Sequence, residues 1–124
     1  MNNSKSILII DDEETIVDVL KRRFERLGFS VETAFRGQDG LQLVQQKDID
    51  LIVCDVTLPD NVDCIDVLNA ARKQNPNVRF VAISGHLLPE ESIGEMKNEG
   101  VNLFIKKPFP SLKTVTSEIA ELVT

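Results

Sequence analysis

The strongest constraint on this chain is an alternation of two patterns. Short runs that are apolar on both faces are separated by stretches in which apolar residues return every three to four positions. Ile7-Leu8-Ile9-Ile10 and Leu51-Ile52-Val53-Cys54 leave no polar face, as suits a central strand of a parallel sheet covered on both sides. After the first run, Ile16, Val17, Leu20, Phe24 and Leu27 form a helical stripe. It stops at Gly28, where a left-handed residue belongs. Carboxylates lead that stripe, and Lys21, Arg22, Arg23 and Arg26 follow, an order that complements the helix dipole.

The same alternation continues to the end of the chain. Ser30 to Ala34 reads as a strand, and Gln38 to Gln46 as a short helix burying Leu41 and Val44. Beyond Asp55, a loop with Pro59 leads to a helix carrying Ile65, Leu68 and Ala71 that ends before Pro76. Val78 to Ile83 is β-branched and aromatic, hence a strand, and stops at Ser84-Gly85. Pro89-Glu90-Glu91 reads as the first turn of a weakly periodic helix (Ile93, Met96) ending at Gly100, with Pro where the N–H has no partner anyway. Asn102 to Ile105 is the last strand. From Ser111, an N-cap residue, Leu112, Val115, Ile119 and Leu122 mark a final amphipathic helix.

The product is (βα)₅, an α/β chain of one domain over residues 1–124 without repeat or linker. Strands alternating with helices imply a parallel sheet with right-handed crossovers and helices on both faces. Five strands are too few for an eight-stranded barrel, so the sheet is open and doubly wound. Composition narrows the function. The 42% apolar and 27% charged residues describe a folded globule. A net charge of −6 argues against a nucleic-acid surface. No apolar run approaches the ~20 residues that span a bilayer. Met1 to Lys5 lacks the pattern of a secretory leader, so the expected location is the cytoplasm.

Open α/β sheets bind ligands beyond the carboxyl ends of their strands. Four of the five expected strands end there in a group useful to a phosphoryl centre: Asp11 and Asp12, then Asp55, Ser84 and Lys107. Each alone has a plainer explanation, as a solvated loop acid, a turn serine or a surface lysine. Together they describe one crevice. Three carboxylates there repel, by roughly 4 kcal/mol per pair at ~4 Å and an effective dielectric of 20, and so call for a cation. Lys107 is one, and a hard divalent ion is the other; an all-oxygen site with open water positions suits Mg²⁺. His86 is the only histidine and the two cysteines lie in apolar contexts, so no zinc set is present.

These stretches resemble a response-regulator receiver domain of two-component signalling. The likeness runs from Ile7-Leu8-Ile9-Ile10-Asp11-Asp12-Glu13 through Asp55-Val56-Thr57-Leu58-Pro59 and Ile83-Ser84-Gly85 to Phe104-Ile105-Lys106-Lys107-Pro108-Phe109. The resemblance implies the flavodoxin-like strand order 2-1-3-4-5. It implies Asp55 as phosphoacceptor from a phosphohistidine. Asp12, Asp55 and the Thr57 carbonyl would hold Mg²⁺, with Asp11 acting largely through water. Lys107 and Ser84 would contact the phosphoryl oxygens, and Phe104 would be the switch aromatic. The switching surface would be the fourth helix, fifth strand and fifth helix, about Leu87 to Thr124. The implied partners are a sensor histidine kinase or phosphotransfer protein, an output domain or effector, and a second copy of the chain on activation, with no membrane contact. Such a domain is not a turnover enzyme.

Two departures from that pattern stand out. The loop Asp60-Asn61-Val62-Asp63-Cys64 is one residue longer than usual and lacks the usual Gly. Either Cys64 adopts a costly positive φ or the loop is rebuilt. Phe104 stands where Tyr is frequent. The rival functions are an aspartate-dependent phosphatase, a nucleotide-binding module and a non-phosphorylated scaffold. The first wants a second Asp where Thr57 stands, the second a Gly-rich motif that is missing, and the third would not need every site position filled. Cys54 is expected as a small core hydrophobe, His86 as a solvent-facing loop residue, and Lys106 as pointing away from the crevice.

Overall fold

A computed structural model describes residues 5–124; Met1 to Ser4, with most of the segment bearing on a leader, lie outside the described residues. The elements alternate as expected: β1 (Ser6–Ile10), α1 (Glu14–Arg26), β2 (Ser30–Ala34), α2 (Gly37–Gln46), β3 (Leu51–Asp55), α3 (Cys64–Gln74), β4 (Arg79–Ser84), α4 (Glu90–Glu99), β5 (Leu103–Lys106) and α5 (Leu112–Glu121). All strand pairs are parallel, in the order β2-β1-β3-β4-β5. Among the described residues no helix is long and apolar enough to cross a membrane.

The period of two along each strand divides the core into two layers. Leu8, Ile10, Ile52, Cys54, Phe80 and Ala82 face α2 and α3, where Val44, Val67, Leu68 and Ala71 meet them. Ile7, Ile9, Leu51, Val53, Val81 and Ile83 face α1 and α5, meeting Val17, Leu20, Phe24, Val115 and Ile119. Full burial of such a side chain contributes roughly 1.5–3 kcal/mol, so the two layers supply the main drive for closing the sandwich. The register puts Ile10 opposite Cys54, Cys54 opposite Ala82, and Ser84 opposite Lys106. The strand ends therefore come level along one edge.

The structure adjusts several local expectations. Leu27, the last member of the α1 stripe, is 46% exposed because the chain turns away at Gly28 (φ 95°). Phe29 takes its place, edge-on to Phe24 with ring centroids 5.5 Å apart. On α2, Val44 is buried but Leu41 only half so, and the close approach belongs to Gly40, where a Cβ would sit 2.4 Å from Ile10 Cδ1. β4 begins one residue late and includes Ser84; β5 likewise shifts to Leu103–Lys106. Pro89 is the residue before α4 rather than its first turn, and α4 buries none of its residues. Ser111 caps α5 as expected, accepting from Thr114 N at 3.2 Å.

The long loop after β3 is rebuilt, and Cys64 bears no strain. Cys64 is the first residue of α3 and is buried. The positive φ falls on Asn61 (57°), a residue type that tolerates the left-handed region. Asp63 then caps α3 through Ile65 N at 2.9 Å. Asp60 crosses to the start of α2, accepting from Gly37 N at 3.1 Å and Gln38 N at 2.8 Å. Val62 packs so tightly on Gly37 that a Cβ there would lie 2.3 Å from Val62 Cβ. Those two amides hold the Asp60 carboxyl below its ordinary range. A depressed carboxyl stabilises the fold above its unfolded pKa of ~3.9 and ceases to do so as pH falls. Asp60→Asn should therefore lower the melting temperature at pH 7 by more than at pH 3; an equal loss at both would contradict the charge-assisted cap.

Cys54 and Cys64 are both free and buried. Burial, aided by nearby acids, pushes the Cys54 thiol well above its ordinary range and the Cys64 thiol up to about 12. A thiol so far from its thiolate is a poor nucleophile. Iodoacetamide at pH 8 should modify neither residue in the folded chain and both in denaturant, as read by mass. Rapid native labelling of either would contradict this packing.

Candidate functional site

Continuation of the strand ladders brings the site together. Asp11 N donates to Ala34 O at 3.1 Å, Val56 N to Ile83 O at 2.9 Å, and Lys107 N to Ser84 O at 2.7 Å. Each bond extends strand geometry one residue past the end of an element, so Asp11, Asp55 and Lys107 are fixed by the sheet rather than by loops. Asp11, Asp55, Ser84 and Lys107 are all buried, while Asp12 is exposed.

At the centre is the Lys107 ammonium. Nζ lies 2.8 Å from Asp55 Oδ2, 2.7 Å from Asp11 Oδ2 and 2.8 Å from Glu13 Oε1. The contacts with Asp55 and Glu13 are hydrogen bonds. The Asp11 contact is a charge pair without hydrogen-bond alignment, and Asp11 Oδ2 stays buried without a donor. Burial alone would lower the Lys107 pKa, but the three carboxylates outweigh it and hold the ammonium charged far into the alkaline range. Asp11 shifts upward because burial exceeds the help of Lys107 and of the Glu13 amide, which donates to Oδ1 at 3.0 Å. Asp55 Oδ1 accepts from Thr57 N at 2.9 Å.

Asp11, Asp12 and Asp55 each offer an oxygen within 4.8 Å of the other two. An all-oxygen trio of carboxylates, two of which share a single ammonium, fits a hard divalent cation such as Mg²⁺. The cleft above it, about 230 Å³, is lined by Asp12, Glu13, Asp55, Thr57, Gly85, His86 and Lys107. At ~30 Å³ per water that is room for a phosphoryl group with several waters. Ser84 Oγ faces its own turn, donating to His86 O at 3.0 Å and accepting from His86 N at 3.1 Å. Phe104 is half-buried on the layer covered by α2 and α3, opposite Ala82. Lys106 is exposed, one residue out of phase with Lys107, and His86 is also exposed.

The acids, the hydroxyl strand end and the lysine expected from sequence thus share one edge. Two contributors escaped sequence reasoning. Glu13 joins Lys107, although an acid before a helix reads as dipole compensation. Asp60 ties the β3–α3 loop to α2 across 22 positions, which no local pattern encodes.

A parallel 2-1-3-4-5 sheet with this acidic, lysine-bearing pocket on its carboxyl edge defines a CheY-like α/β module. The response regulator receiver domain model matches residues 7–119, and the chain belongs to that family. It is 30% identical over 118 residues to the response regulator SaeR of Staphylococcus aureus, a match covering 95% of this chain and 50% of SaeR. The chain thus spans about half the length of the curated relatives it matches. Among solved structures, a CheY-like receiver domain protein from Methanospirillum hungatei superimposes with a TM-score of 0.83 at 28% identity, covering 96% of this chain and 93% of the other. A Francisella response regulator receiver domain gives 0.79 at 30% identity, with 96% of both chains covered.

Proposed function

We propose that this receiver domain is a phosphoacceptor switch. It takes a phosphoryl group from a phosphohistidine of a sensor histidine kinase or phosphotransfer protein onto Asp55, in a Mg²⁺-dependent reaction in the cytoplasm. The observation that carries this reading is the direct contact of Lys107 Nζ with Asp55 at 2.8 Å inside an acidic cleft. A carboxylate so held is oriented for in-line attack on phosphorus: the O–P bond forms as the P–N bond breaks, and the electron pair leaves with the imidazole. Such transfer has a loose transition state, so the protein contributes mainly orientation and charge compensation.

The contacts and the family membership together support a role for each residue. Thr57 N and Lys107 fix the Asp55 carboxylate plane through its two oxygens. Lys107 offsets charge on the incoming phosphoryl oxygens. Asp12, Asp55 and the Thr57 carbonyl would hold Mg²⁺, with Asp11 behind them through water. Bound Mg²⁺ would supply positive charge beside the transferring oxygens and offset carboxylate repulsion. The Ser84 hydroxyl must leave His86 to reach a phosphoryl oxygen, drawing its loop inward, and Phe104 turns as that loop moves. α4, which buries none of its residues, is the element least anchored against such a shift. The switched face, α4-β5-α5, is offered to an output domain, an effector or a second copy. The acyl phosphate is later hydrolysed, so the domain acts as a switch and not as a turnover enzyme.

Acetyl phosphate with Mg²⁺ should add one phosphoryl group by intact mass, and Asp55→Asn should take up none. An unmodified wild-type chain, or modification persisting in Asp55→Asn, overturns the assignment. Phosphomonoesters should not be turned over.

A further inference from the structure

We infer that Glu13 is a releasable placeholder for the phosphoryl group on Lys107, and so sets how readily the site accepts one; this rests on the phosphoacceptor reading above. An ammonium has three protons, and Lys107 is surrounded by three carboxylates at 2.7–2.8 Å. The two that hydrogen-bond it, Asp55 and Glu13, are also the two that line the cleft, so a phosphoryl oxygen arriving through the cleft engages the ammonium by displacing one of them. The side chains of Asp11 and Asp55 are 0% and 7% exposed and fixed to strand ends, whereas Glu13 is 58% exposed. Releasing Glu13 returns a carboxylate to water, while releasing either aspartate strands a buried charge.

The local structure leaves the side chain uncommitted to the helix it precedes. Glu13 occupies the N-cap position of α1 but makes no side-chain cap there, unlike Asp63 on α3 and Ser111 on α5. Its backbone is pinned instead, through its N–H to Asp11 Oδ1 and its carbonyl to Val17 N. The carboxylate can therefore swing while the backbone stays. It also lines the cleft beside Asp55 and His86, so a swing outward opens space where the phosphoryl group arrives. Glu13 is a positioning residue, acting through Lys107.

The test is the dependence of phosphorylation rate on acetyl phosphate concentration, in saturating Mg²⁺, for wild type, Glu13→Gln, Glu13→Ala and Glu14→Gln. Both Glu13 variants should reach half-maximal rate at about two- to fivefold lower acetyl phosphate, as expected for loss of one solvent-screened ion pair that must otherwise be exchanged. Their Mg²⁺ affinity should stay within about twofold, because Glu13 is not in the carboxylate trio. Glu14→Gln removes the neighbouring charge without touching Lys107 and should leave the concentration dependence unchanged, which separates exchange on Lys107 from a general field effect. Unchanged or slower phosphorylation in the Glu13 variants, or an equal gain in Glu14→Gln, overturns the inference while leaving the phosphoacceptor reading intact. Failure of the wild-type chain to be phosphorylated at all overturns both.

Discussion

Lys107→Met lowers the melting temperature of the metal-free chain by roughly 10 °C, the effect of about 3 kcal/mol on a domain of this size. The side chain is 8% exposed and faces three carboxylates, two of them buried. Methionine fills much of the volume, so the loss is electrostatic: Asp11 and Asp55 keep their burial and lose their counter-charge. The pH dependence has a definite sign. Asp11 already titrates above its ordinary range because of burial, and without Lys107 it rises further. A raised carboxyl means that the folded state binds more protons than the unfolded one, so stability falls as pH rises above ~4. The variant should thus lie close to wild type near pH 4 and fall furthest behind above neutrality. Added Mg²⁺ should recover part of the deficit, since uncompensated acids attract a divalent ion. Thermal melts from pH 4 to 8, with and without Mg²⁺, check this. A deficit independent of pH would mean that packing, not charge, is what Lys107 provides.

The part of this structure legible in sequence is the part governed by local periodicity. Ile7 to Ile10 and Leu51 to Cys54 could only be covered strands, and the stripe from Ile16 to Phe24 could only be a helix lying on them. Once the strands are known, their carboxyl ends are known, and Asp11, Asp55, Ser84 and Lys107 fall on one edge without further assumption. What escaped depends on side chains reaching between elements. Nothing around Glu13 says that its carboxylate turns toward a lysine 94 positions away. Asp60 reads as one more loop acid until α2 is placed beside it. The loop around Cys64 was ambiguous for a related reason. A family pattern asks for Gly there, whereas the local signal, Asp63 two residues before Ile65, is that of a helix cap. The local chemistry prevailed, and Asn61 absorbed the turn.

The wiring also separates rigid from movable parts. Asp55 is held on both oxygens, and Asp11 and Lys107 by ladder bonds past the strand ends. Ser84 is held by a two-residue turn that a competing acceptor can open. Arg72 on α3 reaches the Glu99 carbonyl at the end of α4, and Val101 is buried just beyond it. α4 is thus tied down at its carboxyl end, while its amino end, next to the Ser84 loop and to Leu87 at 83% exposure, carries the weaker constraint.

Asp12→Asn should move the two quantities that Lys107→Met moves, each in the opposite sense. Asp12 belongs to the carboxylate trio but is absent from the contacts of Lys107, which go to Asp11, Glu13 and Asp55. Without metal it adds repulsion to Asp11 and Asp55, and among the described residues it has no ion pair of its own. Because it is exposed, solvent screens that repulsion to about 1 kcal/mol. Neutralising it should therefore raise the metal-free melting temperature by roughly 3–5 °C. If the proposed Mg²⁺ role holds, the same substitution takes one oxygen donor and one negative charge from the carboxylate trio, lowering affinity at least ~10-fold, equivalent to about 1.4 kcal/mol. Stabilisation by millimolar Mg²⁺, which follows RT ln(1 + [L]/Kd), should shrink accordingly, and phosphorylation by acetyl phosphate should collapse with it. A site kept for packing would show the reverse, a less stable variant with Mg²⁺ response intact. More stable yet unresponsive is the signature of acids retained for their ligand at the expense of the fold.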